Sequence, residues 1–239
     1  AYHLAARGAH VTVLEQFDSA AEGSTGRSFA SVRAQWTDAL NIELSWRSIQ
    51  TYRDFRALHG IDVGYRPTGY LYLWPQDLFE RQLASVELQR EHGVPVDVLT
   101  PREAAHLTPF TPEGIAGCTW GTADGVVDPY LATNAYLDLA RGHGAQVQFR
   151  SAVTAIERLA TGWTVHCGST AITADVLVNC SGGWSGELAA LAGYDVPVQH
   201  IRRSIYSTAP GVTATHPMTI DVATGVYLRS EGERLLFGL

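Results

Sequence analysis

Residues Gly8–Arg33, with the sequence GAHVTVLEQFDSAAEGSTGRSFASVR, contain the pattern that decides the fold. His10–Leu14 is predicted to form a short strand that ends at Glu15, and a loop rich in glycine, serine, threonine and arginine follows. In a nucleotide-binding βαβ unit, the second strand ends at an acidic residue whose carboxylate binds the vicinal hydroxyls of a ribose. Glu15 occupies that position. A strand that ends in glutamate before a polar loop also occurs in α/β proteins of other kinds, so these residues alone leave both interpretations open.

The residues before this strand lack the first half of such a unit. The glycine fingerprint of the unit lies about 20 residues before the acidic residue, which places it at or before residue 1. Residues 1–8, AYHLAARG, instead have the pattern of a helix that ends with a glycine, and residue 1 is not methionine. We therefore expect the first strand and the phosphate-binding loop to precede this chain in a longer protein.

Three segments of the chain resemble one known family. Residues 1–15 (AYHLAARGAHVTVLE), 23–33 (GSTGRSFASVR) and 174–185 (ADVLVNCSGGWS) are similar to segments of the FAD-dependent amine and amino-acid oxidoreductases. This superfamily includes D-amino-acid oxidase, glycine oxidase, sarcosine oxidase and dimethylglycine dehydrogenase. The GSTGRS sequence, together with Gln35 and Trp36, most resembles the beta-subunit type of sarcosine oxidase.

The resemblance implies an α/β fold with two domains. A Rossmann-like FAD-binding domain, incomplete here, would comprise residues 1–60 and 125–195. An inserted α+β substrate domain with a mostly antiparallel sheet would comprise residues 61–124 and 196–239. The chain would be an internal segment that lacks the N-terminal glycine fingerprint and the C-terminal third of the enzyme.

The resemblance also implies which residues bind FAD. Glu15 would bind the adenosine ribose, and the backbone of Val153 would meet the adenine ring. Hydroxyl and N–H groups of the glycine-rich loop, with the charge of Arg27, would surround the pyrophosphate and ribityl chain. The full set of expected FAD-binding residues is Glu15, Gln16, Ser24, Thr25, Gly26, Arg27, Ser28, Phe29, Ala30, Ser31, Val153, Cys180, Gly182 and Trp184, with Gly183 beside them.

Two residues are candidates for substrate binding. An arginine can bind a carboxylate through two parallel hydrogen bonds, and Arg33 follows the flavin-binding loop directly. Tyr227 matches the family's strand tyrosine near the substrate. Arg33 could instead form a structural ion pair, and Arg202 and Arg229 are weaker alternatives for the substrate carboxylate.

The expected reaction is oxidation of a C–N bond in a small or N-methylated amino acid, such as glycine, sarcosine, dimethylglycine or proline. The resemblance implies hydride transfer to the flavin and reoxidation by oxygen or another acceptor, with partner subunits as a further option. Two alternatives stay open. One is a non-catalytic flavoprotein subunit or scaffold with a degenerate site, and the other is a flavin-dependent 2-hydroxy acid dehydrogenase on the same fold.

Composition excludes several other classes. The formal net charge is −7 without a lysine or arginine run, which argues against nucleic-acid binding through phosphates. No apolar run approaches the ~20 residues of a membrane span. The three cysteines are widely spaced and the nine histidines have no ligand spacing, so neither a disulfide framework nor a metal site is predicted. The cysteine pattern favours a reducing, cytoplasmic setting.

The remaining patterns predict secondary structure. Asp38 should cap a helix that runs to His59 and ends at Gly60, with an apolar stripe on one face. The aromatic stretch Tyr65–Trp74 should form two short strands around a turn, and its rings could line a substrate pocket or form the buried face of the sheet. Residues 174–180, a continuous apolar run, are predicted to form a buried parallel strand that ends in a buried, inert Cys180 thiol, and Val198–Thr208 is predicted to form another strand.

Overall fold

The computed structural model describes all 239 residues and divides the chain into two compact units. The first unit consists of Ala1–Arg27 and Ala132–Arg203, and the second consists of Ser28–Leu131 and Ser204–Leu239. The fold is α/β, as predicted. The compact units place residues 28–60 in the second unit, whereas the predicted FAD-binding domain includes them, because the helix in this segment packs its apolar face within the second unit.

The first unit contains a parallel strand pair and an antiparallel sheet. Strand β1 pairs in parallel with β7, and β8, β9 and β10 form a three-stranded antiparallel sheet in the order β10-β9-β8. Its elements are α1 (Tyr2–Ala5), β1 (Thr12–Leu14), a 3-10 helix (Thr25–Arg27), most of α5 (Pro129–Gly142), β7 (Gln146–Gln148), β8 (Ala155–Arg158), β9 (Trp163–Cys167), β10 (Thr170–Ala174), a second 3-10 helix (Gly182–Trp184) and α6 (Ser185–Leu191).

The second unit is built on a seven-stranded sheet in the order β11-β14-β13-β12-β3-β5-β4. All of its neighbours are antiparallel except β12 and β3, and a separate antiparallel pair joins β2 to β6. Its elements are β2 (Ser31–Val32), α2 (Ala39–His59), β3 (Tyr70–Pro75), α3 (Gln76–Glu91), β4 (Val96–Leu99), α4 (Pro101–Ala104), β5 (Ile115–Gly121), β6 (Gly125–Val126), β11 (Tyr206–Ser207), β12 (Met218–Asp221), β13 (Tyr227–Glu231) and β14 (Arg234–Gly238).

Helix α2 has the predicted ends and the predicted buried face. The Asp38 side chain accepts a hydrogen bond from the Asn41 backbone N–H, and Gly60 closes the helix in the left-handed conformation at φ 72°. Ile42, Ile49 and Phe55 are buried, so the apolar stripe faces a core. Burial of side chains of this size against α3 and β4 removes apolar surface from water, which is the main term that holds the helix in place.

Strand β3 lies between two buried clusters of side chains. Leu71 and Leu73 point into a core with Cys118 and Ala104. Tyr70 and Tyr72 point to the other face, where their rings stack with centroids 5.1 Å apart. Side chains alternate along a strand, so the tyrosine rings share one face; they are buried there and Tyr70 also lines cavities, so both interpretations of the aromatic stretch apply to that face. The first of the two predicted strands is reduced to a single bridge between Arg66 and Val126.

Two predicted strands are wrong. Residues 175–181 form no strand, and Val176 and Val178 are 74% and 58% exposed. A buried parallel strand needs hydrogen-bonding neighbours on its flanks, and no strand of the structure pairs with this segment. Of the predicted strand Val198–Thr208, only the two residues of β11 pair with another strand, β14.

Candidate functional site

Glu15 lies at the carboxyl end of the parallel strand pair in the first unit. Its backbone N–H donates to the carbonyl of Gln148, which extends the β1–β7 ladder by one residue. Its Oε1 accepts the backbone N–H of Phe17 at 2.9 Å, which fixes the direction of the carboxylate, and no hydrogen bond occupies Oε2. Ligands bind at the carboxyl ends of strands in open α/β sheets. The carboxylate is therefore held in place and still has an acceptor for a hydroxyl group.

The glycine-rich loop of the first unit folds back beside Trp184. Ala21 adopts a positive φ of 65°, and the Gly26 N–H donates to its carbonyl at 2.9 Å, which leads into the 3-10 helix Thr25–Arg27. Trp184 contacts the Phe17 ring edge-on at 5.9 Å, and a Cβ atom at Gly23 would lie 3.8 Å from its indole ring. The structure thus brings the loop that starts at Glu15 close to the predicted flavin-side tryptophan.

The conformation and the close packing of the backbone at Gly182 and Gly183 require glycine at both positions. Gly182 has a positive φ of 57°, and a Cβ at Gly183 would lie 2.8 Å from Nδ1 of His200. Asn179 holds the segment because its Oδ1 accepts from the N–H and hydroxyl of Ser181. Cys180 is exposed, not buried as predicted, because the run that precedes it is not covered by a sheet.

Val153 lies on a segment that is hydrogen-bonded to the backbone of Glu15. The Ser151 N–H donates to the Glu15 carbonyl at 2.8 Å, and the Thr154 N–H donates to the His166 carbonyl at 2.8 Å. Val153, between these two anchors, is partly buried. Gln16 and Arg27 are exposed, and the Arg27 guanidinium forms no ion pair.

These residues of the first unit fit the adenosine side of FAD. A carboxylate with one oxygen available suits a ribose hydroxyl, and a turn of hydroxyl-bearing residues with a free arginine suits a pyrophosphate. The predicted residues Ser28, Phe29, Ala30 and Ser31 belong to the second unit and line a cavity there.

This second-unit cavity, called the Phe29 cavity, has a volume of about 340 Å³. Ala30 adopts a positive φ of 55°, its N–H donates to Oγ of Ser28, and its carbonyl accepts the Val127 N–H at 3.0 Å. These bonds hold the start of β2 in a fixed bend. The residues that line the cavity are Ser28, Phe29, Ala30, Ser31, Tyr70, Met218, Ile220 and Tyr227.

Tyr227 lines the Phe29 cavity, and Arg229 holds the backbone of Phe29 by a hydrogen bond. The Tyr227 and Phe29 rings meet edge-on at 4.8 Å. Arg229 is only 6% exposed, donates from Nε to the Phe29 carbonyl at 2.7 Å and forms an ion pair with Glu231. Its donors are used within the protein, so Arg229 is a structural residue rather than an alternative carboxylate ligand. Arg202, the other alternative, is exposed on the first unit.

Arg33 faces a second cavity of about 440 Å³, called the Arg33 cavity. Its guanidinium carbon lies 4.2 Å from the centre of the Trp36 ring, and 5.6 and 5.5 Å from the centres of the Tyr70 and Tyr72 rings. No carboxylate lies within ion-pair distance, so the structural ion pair considered for Arg33 is absent. Three aromatic rings surround the cation, one donor of Arg33 interacts with the Tyr70 hydroxyl, and no carboxylate occupies its remaining donors, which suit an anion. Trp36, Tyr52 and Ser45 line the same cavity.

The two cavities are neighbours in the second unit. Ser31 and Tyr70 line both of them. Burial raises the pKa of Tyr70 above its ordinary value, and the Arg33 charge opposes this effect. Arg33 and Tyr227 therefore line different cavities, which share Tyr70 as a common wall residue.

Sequence reasoning missed a buried polar network beneath Arg33. Asp124, whose Asp-Gly sequence is typical of a turn, is 1% exposed. Its Oδ1 accepts the Ala34 N–H at 2.9 Å and its Oδ2 accepts from Nε2 of Gln35 at 3.0 Å. Burial raises the pKa of Asp124 to about 6, while the hydrogen bonds from Gln35 and Ala34 and the charge of Arg33 lower it.

The fold and these two groups of residues define a nucleotide-binding α/β protein with a cation-bearing cavity. The chain belongs to the FAD dependent oxidoreductase family, whose model matches residues 1–239. FAD is the cofactor of this family.

Three known proteins show the extent of the similarity. The mitochondrial dimethylglycine dehydrogenase of Mus musculus is 29% identical over 251 residues, which cover 100% of this chain and 28% of that protein. The monomeric sarcosine oxidase of Streptomyces avermitilis is 28% identical over 213 residues, covering 88% of this chain and 54% of the oxidase. The crystal structure of L-proline dehydrogenase from P. horikoshii has a TM-score of 0.85 at 26% identity and covers 100% of this chain and 65% of that one.

The chain therefore spans less than a third of the length of the dimethylglycine dehydrogenase that it matches. No helix of the chain is both long enough and apolar enough to cross a membrane.

Proposed function

We propose that this chain is the nucleotide- and substrate-binding part of an FAD-dependent oxidoreductase that oxidises the C–N bond of a small or N-methylated amino acid. The observation that carries the proposal is Arg33, a cation without an ion-pair partner, held by three aromatic rings at the edge of a cavity. An amino-acid carboxylate is the ligand that such a group suits.

In this proposal, the first unit holds the adenosine half of the cofactor. Glu15 accepts a hydrogen bond from the ribose, and the backbone and hydroxyl groups of residues 24–27 donate to the pyrophosphate. The segments that carry Val153 and Gly182–Trp184 complete this set. When bound, FAD supplies the hydride acceptor for the reaction.

The Phe29 cavity receives the amine end of the substrate. Its lining includes two tyrosines and two serines but no carboxylate, histidine or lysine. Burial raises the pKa of Tyr70, so this phenol stays protonated at neutral pH and cannot accept a proton from an ammonium group. The substrate amine therefore reacts in its neutral form, and the protein contributes orientation and exclusion of water.

The similarities to known proteins support a class of substrate but do not identify the particular amino acid. The names of the matched relatives specify dimethylglycine, sarcosine and proline, all amino acids with a substituted nitrogen. We propose a substrate of this type, with oxygen or another redox partner as the electron acceptor. The three free cysteines suit the reducing, cytoplasmic setting that we propose.

The test uses the full-length protein that contains this chain. A flavin absorption band that bleaches anaerobically with sarcosine, dimethylglycine or L-proline supports the proposal, and the amine that bleaches it fastest identifies the substrate. Arg33→Ala should retain flavin and lose turnover through a higher KM. Arg53→Ala, an exposed arginine paired with Asp54 on α2, is the matched control. A flavin that no amine reduces would contradict the proposed reaction, and a protein that binds no FAD would favour a scaffold.

A further inference from the structure

Asp124 uses both carboxylate oxygens to hold the residues that follow Arg33. Oδ1 accepts the backbone N–H of Ala34, and Oδ2 accepts the side-chain amide of Gln35. A carboxylate that is 1% exposed costs free energy unless its oxygens are paired, and here both are. The position of the backbone directly after Arg33 is therefore set by Asp124.

The same residue holds the opposite wall of the Arg33 cavity. The Asp124 carbonyl accepts the Gly69 N–H at 2.8 Å, one residue before Tyr70. Gln35 Nε2 also donates to the Tyr70 carbonyl at 2.9 Å, and Gln35 Oε1 accepts the hydroxyl of Thr119 at 2.8 Å. Asp124 thus joins the segment that carries Arg33 to the strand whose tyrosine rings face the guanidinium.

This network suits a carboxylate at position 124. Both oxygens meet N–H donors, so the amide of an asparagine would place a donor against a donor. Rotation of the Gln35 amide cannot resolve that conflict, because its oxygen would then face the Tyr70 carbonyl. Only a carboxylate satisfies all of the partners at once.

We propose that Asp124 is a positioning residue for substrate recognition: it fixes Arg33 against the Tyr70 and Tyr72 rings in the orientation that binds a carboxylate. The inference rests on the proposed function, because it takes Arg33 as the carboxylate ligand. Asp124 lines neither cavity, so its carboxylate acts through the residues that it holds rather than on a ligand in either cavity. As a positioning residue, Asp124 strengthens the binding of a carboxylate. If it acted only through its negative charge, it would repel an incoming carboxylate and weaken binding.

The experiment measures carboxylate binding without turnover. The full-length holoenzyme is titrated with sodium propionate at pH 7.5, and Kd is read from the change in the flavin absorption spectrum. The Asp124→Asn variant removes the charge and one acceptor at nearly constant volume. Asp128→Asn, four residues away, is the matched control because Asp128 only caps α5 and asparagine caps equally well.

We expect Asp124→Asn to raise the Kd for propionate about tenfold, since a buried hydrogen-bond network is lost. Asp128→Asn should bind as the wild type does. An Asp124→Asn variant with unchanged or tighter binding, while Arg33→Ala binds weakly, would overturn the positioning role and leave the proposed function intact. If Arg33→Ala also binds propionate normally, the carboxylate role of Arg33 and the inference both fall.

A second variant keeps the test open if Asp124→Asn does not fold. Gln35→Met has a similar volume and removes the donor to Asp124 and to the Tyr70 carbonyl, while both charges remain. Weaker propionate binding in Gln35→Met supports the network as the element that orients Arg33. A Kd equal to that of the wild type in a folded, flavin-loaded Gln35→Met variant would refute it.

Discussion

Glu15→Gln offers the sharpest test of how the first unit binds FAD. In the structure Oε1 of Glu15 is occupied by the Phe17 N–H, and Oε2 is the acceptor that remains for the ribose. Glutamine can keep its oxygen toward Phe17, so the local turn survives. The amide nitrogen then takes the place of Oε2, and the ribose hydroxyl loses a charged acceptor.

The size of the effect follows from the loss of one charge-assisted hydrogen bond. Such bonds contribute about 1.5–3 kcal/mol, which corresponds to a Kd for FAD raised about 10- to 150-fold. The free energy of unfolding of the apoprotein should change little, because the Phe17 hydrogen bond is kept. The variant is thus predicted to bind FAD more weakly while the stability of its apoprotein stays close to that of the wild type.

The assay is titration of full-length apoprotein with FAD, followed by quenching of flavin fluorescence. Glu22→Gln is the matched control, because Glu22 lies in the same loop and accepts hydrogen bonds from the N–H and hydroxyl of Ser19. Its Kd should stay within about twofold of the wild type. A Glu15→Gln protein that binds FAD as tightly as the Glu22→Gln control would refute the assignment of Glu15 to the ribose.

Four further outcomes are expected. Burial raises the pKa of Asp124 from 3.8 to about 6, so the folded state takes up a proton more readily than the unfolded chain. The free energy of unfolding should therefore fall by about 3 kcal/mol through this residue as pH rises from about 4 to about 6. Denaturant unfolding across this pH range should show the loss in the wild type and not in Asp124→Asn. Gly69→Ala should unfold the protein at markedly lower temperature in a thermal melt, because Gly69 has a φ of 82° and a Cβ there would overlap the Trp120 ring; unchanged melting would contradict this packing. Asp38→Ala should cost about 1 kcal/mol in urea denaturation through loss of the cap to Asn41, and Asp38→Asn should restore most of it. Below the pKa of the substrate amine, kcat/KM should fall about tenfold per pH unit in steady-state assays, and a flat profile would indicate a base that the Phe29 cavity lacks.

Features that depend on nearby residues were predictable from the sequence. The ends of helix α2 follow from a capping aspartate and a glycine that adopts a left-handed conformation. The capping box at Thr100 and Glu103 formed as its spacing predicts. Asp128 caps α5, because its Oδ1 accepts the Leu131 N–H. In each of these cases the interacting atoms are no more than a few residues apart, so the sequence contains the whole interaction.

Features that depend on distant partners were not predictable. Residues 174–180 have the composition of a buried strand, but composition cannot show whether a neighbouring strand covers them. The arrangement of Arg33 and Tyr227 in separate cavities depends on the pairing of β12 with β3, whose residues are about 150 positions apart. No local pattern encodes that register.

Asp124 shows how the sequence pattern of a turn can hide a buried acid. The turn comprises residues 121–124, because the Asp124 N–H donates to the Gly121 carbonyl, and Gly125 already belongs to strand β6. A Cβ at Gly121 would overlap the Asp124 carboxylate, and one at Gly125 would overlap the Arg66 carbonyl. A turn on the surface has open space around it and does not require glycine on both sides for steric reasons. Gly121 therefore makes room for the buried acid, Gly125 lets the backbone of residues 66–68 approach, and the acid in turn holds the backbone beside Arg33.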